Sequence, residues 1–116
     1  LESTVAAIDY LKAFSGNGQR IFVFGDMFEL GDSSIEQHQA IGQKCDEAEL
    51  SAVLTIGSET IATDGAIRKT NFHQHFESKD DLLESFNKIV RESDKVLVKG
   101  SRGMKMETIV EAMLDN

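Results

Sequence analysis

The chain has no proline, no tryptophan and one cysteine, and it is short of bases, with 12 Lys and Arg against 20 Asp and Glu. Each shortage excludes something. With no proline, no low-complexity tract and no internal repeat, nothing marks a linker, and 116 residues suit one domain with one core. The lone thiol, Cys45, cannot close an internal disulfide. It falls on the apolar side of a helical pattern, where a packed core thiol is expected, and a cytoplasmic location follows. A formal net charge of −8 argues against a general nucleic-acid binder, which needs a basic footprint to displace counterions. No apolar run approaches a membrane span, and no signal-peptide pattern opens the chain.

What is present is a regular alternation of two periodicities. Arg20-Ile21-Phe22-Val23-Phe24 is an almost continuous apolar run, too short for a typical helix and rich in β-branched and aromatic residues. That pattern suits a strand buried on both faces. Ser51–Ile56 and Lys95–Val98 repeat it, and Asn71–Phe76 is a more polar version suited to a sheet edge. Between them lie helical stripes. Val5, Ile8, Leu11 and Phe14 form the first, with Ser3 as the expected N-cap. Ile35, His38, Ile41, Cys45 and Ala48 form the second, opened by a capping box of Ser33 and Glu36. A short helix to Ile67 is expected to be capped by Ser58. Leu82, Leu83, Phe86, Ile89 and Val90 follow a cap at Ser78, and Met106, Ile109, Val110 and Met113 form the last. One helix followed by four strand–helix units predicts an α/β fold: a three-layer α/β/α, Rossmann-like, mainly parallel sheet. The first and fourth strands are expected inside the sheet, with Phe72–Phe76 at an edge.

In such a sheet ligands bind where the strands end, which singles out two loops. Lys99-Gly100-Ser101-Arg102-Gly103 leaves a strand and is expected to open a helix. Its two cations, hydroxyl and unpaired N–H groups suit a phosphate or a carboxylate. The alternative is that Lys99 and Arg102 are solvated or paired while Ser101 only caps. Asp26, just past the first strand, suits a ribose hydroxyl, an ammonium group or a metal, or else caps backbone N–H groups. Glu29 follows it. His73 and His75 alternate on one strand face, but no cysteine or carboxylate cluster completes a metal set. His38 has no metal-ligand partner in sequence.

Val23-Phe24-Gly25-Asp26-Met27-Phe28-Glu29-Leu30-Gly31, then Ser34 and His38, then Val96-Leu97-Val98-Lys99-Gly100-Ser101-Arg102 and Met106-Glu107, resembles the C-terminal domain of the Mur ligases. The likeness spans nearly the whole chain and is strongest to the branch that adds D-alanyl-D-alanine to UDP-N-acetylmuramoyl-tripeptide. It implies a three-domain cytoplasmic enzyme of peptidoglycan synthesis. In that family ATP, with Mg2+, phosphorylates the tripeptide carboxylate and the dipeptide amine then attacks. The phosphate loop belongs to the family's central domain, and this chain has no GxxxxGK[ST] sequence. The family's Asn-Pro motif, expected just before Ser3, is also missing. Residues 1–116 are therefore expected to be one domain of a longer ligase, opening on Leu1 and inactive alone, with the N-terminal and central ATPase domains absent. The resemblance implies no catalytic residue and no metal ligand in this domain. It gives Lys99, Ser101 and Arg102 the dipeptide, through its carboxylate, gives Glu29 the dipeptide amine and gives Asp26 the ATP ribose. His38 matches the family pattern without an implied role. A monomer is expected.

Two readings from other classes compete. A receiver-like signalling module is also a small acidic α/β domain, but it needs an acidic pair ahead of its phosphorylated aspartate, and none is present. The other is a non-catalytic nucleotide-binding α/β domain.

Overall fold

The run Arg20–Gly25 forms strand β1, and residues 21 to 25 are all buried. A strand hidden on both faces needs a neighbour at each edge and a helical layer above and below. In the computed structural model, which describes residues 1–114, β1 has all four. β2 (Ala52–Ile56) and β4 (Lys95–Lys99) pair with it in parallel, Val23 lying opposite Leu54 on one side and Val98 on the other. β3 (Phe72–Phe76) pairs in parallel with β2, so the order is β3-β2-β1-β4.

Helices α1 (Glu2–Ala13), α2 (Ser34–Glu47), α3 (Ile61–Ala66), α4 (Lys79–Ile89) and α5 (Glu107–Leu114) fill the connections. The period-2 alternation of β1 divides the core. Phe22 and Phe24 point into a cluster with Ile8 and Leu11 of α1 and Ile41 and Cys45 of α2. Ile21 and Val23 point the other way, toward Leu82 and Phe86 of α4 and Ile109 of α5. Each fully buried side chain of this size contributes about 1.5–3 kcal/mol, so the two faces of β1 anchor both helical layers. The expected three-layer α/β/α sheet is present, and it is wholly parallel. Cys45 is fully buried, and burial, helped by the neighbouring Asp46 charge, pushes its thiol up to about 12. None of the described helices is long and apolar enough to cross a membrane.

Several local expectations need correction. β4 is an edge strand, not an interior one; it is bracketed by lysines and its Val96 is 37% exposed. Its short apolar centre resembles an interior strand, but Lys at both ends is an edge device. β3 is at the other edge, as expected. α1 begins at Glu2 with no side-chain cap, so Ser3 does not cap it. The Ser33–Glu36 capping box does not form: a 3-10 turn, Gly31–Ser33, precedes α2, and Ser33 Oγ donates to the Leu30 carbonyl at 2.8 Å. Ser78 does cap α4, accepting from the Asp81 N–H at 3.1 Å. Ser58 does not cap α3; a residue from β1's end satisfies the backbone there.

Candidate site at the carboxyl rim of the sheet

All four strands run the same way, so their carboxyl ends open on one rim. β1 lies between β2 and β4, and the residue just past it can reach the loops of both neighbours. Asp26 does. Its Oδ1 accepts from the N–H groups of Glu59 and Thr60 at 3.0 and 2.9 Å, in the segment leading from β2 to α3. Its carbonyl accepts from the Ser101 N–H at 2.9 Å, in the loop after β4. The carboxylate thus supplies the cap that the sequence suggested for Ser58, from 33 residues away. Gly57 is a structural requirement of this arrangement: its φ is +110°, and a Cβ there would overlap the Asp26 carboxylate.

Asp26 is only 3% exposed. No side-chain nitrogen or oxygen among the described residues is both buried and unpaired, so Oδ2, which has no partner, keeps an edge toward solvent. Oδ1 is thus structural, and Oδ2 accepts no hydrogen bond among the described residues.

The β1 and β4 loops are joined a second time. The Phe28 N–H donates to Ser101 Oγ at 2.7 Å, and the Phe28 ring lies against Gly103, where a Cβ would come within 2.8 Å of it. The structure therefore brings Asp26, Glu29, Lys99, Ser101 and Arg102 to one rim. It also alters one premise. The loop after β4 opens only a 3-10 turn, Arg102–Met104, ended by Lys105 at φ +52°, and α5 starts at Glu107. Lys99 and Arg102 are thus the anion-attracting groups, without a helix terminus behind them.

Their pairing is telling. Arg20 donates to the carbonyls of Gly18, Phe14 and Gly16, Arg68 to those of Gly65 and Ile67, and Arg91 to those of Lys88 and Val90. Among the described residues, Arg102 is the one arginine whose side chain makes no hydrogen bond or ion pair, and it is exposed. Lys99 and Glu29 also have no side-chain partner among the described residues. Glu29 is exposed at φ +64°, a left-handed conformation that side chains other than glycine adopt at a cost.

Other residues emerge only in three dimensions. The Met27 N–H donates to His38 Nε2 at 3.0 Å, and Ser34 Oγ donates to Glu59 Oε1 at 2.7 Å. Hydrogen bonds from Ser34 and then Ser58 hold the Glu59 carboxyl below its usual range. Capping-type residues before a helix were the available signal at Ser34; nothing local could have paired it with Glu59. His73 is taken up by Asp64 and His75 by Thr55, each at 2.8 Å. Among the described residues no three metal-ligating side chains converge.

The sheet and its helices define a parallel α/β domain with unpaired charge at the carboxyl ends of its strands. The family described as "Mur ligase, glutamate ligase domain" matches residues 1–102, and the chain belongs to the Mur ligase family. UDP-N-acetylmuramoyl-tripeptide--D-alanyl-D-alanine ligase of Haemophilus influenzae is 34% identical over 116 residues, covering 98% of this chain and 25% of the relative. The ligase of the same name from Bacillus subtilis is 32% identical, covering 98% and 26%. Among solved structures, MurF from Acinetobacter baumannii superposes with a TM-score of 0.87 at 27% identity, covering 99% of this chain and 25% of that one. MurF ligase from Thermotoga maritima in complex with ADP gives 0.78 at 25% identity, covering 95% and 24%. The chain spans about a quarter of the length of the relatives it matches. Family membership displaces the signalling-module reading.

Proposed function

We propose that this chain is the C-terminal domain of a three-domain, ATP-dependent ligase. That enzyme joins D-alanyl-D-alanine to UDP-N-acetylmuramoyl-tripeptide in peptidoglycan synthesis, as a cytoplasmic monomer. The domain's share is to receive the dipeptide and to close part of the ATP site. The observation that carries this reading is the unpaired Arg102 guanidinium on a rim tied directly to the Asp26 loop.

Each residue's role follows from its chemistry. Arg102 offers a planar fork that matches a carboxylate, and Lys99, at the end of β4, adds a second positive charge on the same rim, so together they take the dipeptide carboxylate. Ser101 holds the loop through its N–H and Oγ, and it presents Arg102 to the ligand. Glu29, next in the chain to the Phe28 that is tied to Ser101, orients the dipeptide amine. Asp26 Oδ2 accepts a ribose hydroxyl of ATP. When the domains close, this rim covers the reacting groups, keeps water from competing with the amine and holds the amine in line. ATP supplies the phosphoryl group that activates the tripeptide carboxylate. It is held, with Mg2+, mainly by the central domain.

The test is ADP release by the purified full-length parent. Release that depends on added D-alanyl-D-alanine is expected. Release without it, or with an unrelated amine only, would refute the reading.

A further inference from the structure

His38 is wholly buried, yet both of its ring nitrogens are engaged. The Met27 N–H donates to Nε2 at 3.0 Å, so Nε2 carries no proton. The ring is then the Nδ1–H tautomer, and Nδ1–H donates to the Ser34 carbonyl at 2.8 Å, one helical turn back. From Ser34 the connection continues through its Oγ to Glu59 Oε1, and from the Glu59 N–H to Asp26 Oδ1. Asp26 precedes Met27, so the ring closes on itself. It joins the end of β1, the first turn of α2 and the lead into α3.

The ring has a directional consequence. The Met27 N–H belongs to the peptide that follows Asp26, so His38 sets the plane in which the chain leaves β1. The next N–H, that of Phe28, donates to Ser101 Oγ, and Glu29 comes after it. Its surroundings are close: Thr63 Oγ1 donates to the His38 main-chain carbonyl at 2.8 Å, Ser34 Oγ lies 3.2 Å from Nδ1, and the Phe24 ring lies 6.0 Å away between centroids.

We propose that His38 is the positioning residue of the carboxyl rim. Its unprotonated Nε2 holds the Met27 amide and so fixes the loop that carries Glu29 and receives Ser101. Its consequence for catalysis rests on the ligase reading above; the restraint itself does not.

The experiment has two arms. In the 15N-labelled chain, imidazole shifts should report protonated Nδ1 and bare Nε2. His38→Leu should speed exchange of the Met27 amide by about 10-fold or more, leaving the Val23 and Phe24 amides protected. His38→Gln, whose side-chain carbonyl can accept in place of Nε2, should restore protection. In the full-length parent, His38→Leu should raise the dipeptide KM more than it lowers kcat, and His38→Gln should recover most of the loss. A protonated Nε2, or exchange rising equally along β1, would reduce His38 to a core residue and overturn the restraint. A loosened Met27 amide with unchanged dipeptide KM would overturn its reach to the rim. A parent without dipeptide-dependent ADP release would sink the ligase reading, while the exchange data would still decide the restraint.

Discussion

The two ends of the sheet are built around one aspartate each, and they treat charge differently. At the amino end, Asp94 accepts from the Gln19 N–H and side-chain amide and from the Arg91 N–H, at 2.7 to 2.8 Å. The nearby Arg20 and Arg91 donate to carbonyls of their own neighbourhood. At the carboxyl end, Asp26 ties two loops together as tightly, but Lys99, Arg102 and Glu29 are left unpaired. At both ends an aspartate accepts backbone N–H groups, but the arginines near Asp94 are taken up by carbonyls while Arg102 is not. An exposed cation without a partner adds little to stability, so removing it should cost the fold little.

The largest effect is expected at Asp26. Asp26→Ala orphans the N–H groups of Glu59 and Thr60 in a buried setting and is expected to cost about 2–4 kcal/mol in urea unfolding. A smaller loss would mean the rim does not depend on that carboxylate. Asp94→Ala, at the wetter amino end, should cost about 1–2 kcal/mol and leave ligase kinetics unchanged.

Acid sharpens the contrast. Partial burial pushes the Asp94 carboxyl up, but bonds from the Arg91 and Gln19 N–H groups outweigh it and hold the folded pKa low. Asp46 behaves likewise: burial raises it, and bonds from the Arg68 N–H, the Thr70 hydroxyl and the Lys69 and Thr70 N–H groups bring it below its usual range. A depressed folded pKa stabilises the protein above the unfolded value, about 3.9, and the gain is lost as pH falls through the folded one. Stability should therefore decline below about pH 4, and Asp94→Ala should flatten that decline. An unchanged acid slope in the variant would contradict the assignment.

Glu29→Gly should relieve the left-handed backbone and stabilise the fold by about 0.5–1 kcal/mol, read from the urea midpoint. Smallest of all, Arg102→Ala should shift stability by no more than about 0.5 kcal/mol, as befits a side chain without a partner.

Much of the layered sheet could be read from β1 and β2, whose unbroken apolar runs leave little choice but burial on both faces. β4 could not, because Val-Leu-Val between lysines fits a short interior strand and an edge strand equally well until its neighbours are known. The rim residues were visible because parallel strands end together, and Asp26 and Arg102 each follow one. Their connections were not. The caps expected at Ser3, Ser33 and Ser58 were inferred from local spacing, whereas α3's lead is satisfied by Asp26, 33 residues earlier in the chain. His38 had no role to read from a helical stripe, because its partner is the backbone of a loop that only the fold brings beside it.

The decisive measurement is the dipeptide KM of the full-length parent carrying Arg102→Ala. Loss of a charge-assisted bond worth about 1.5–3 kcal/mol predicts a rise of roughly 10-fold to 100-fold, with stability intact and kcat far less affected. A KM equal to that of the unmodified enzyme would contradict the account.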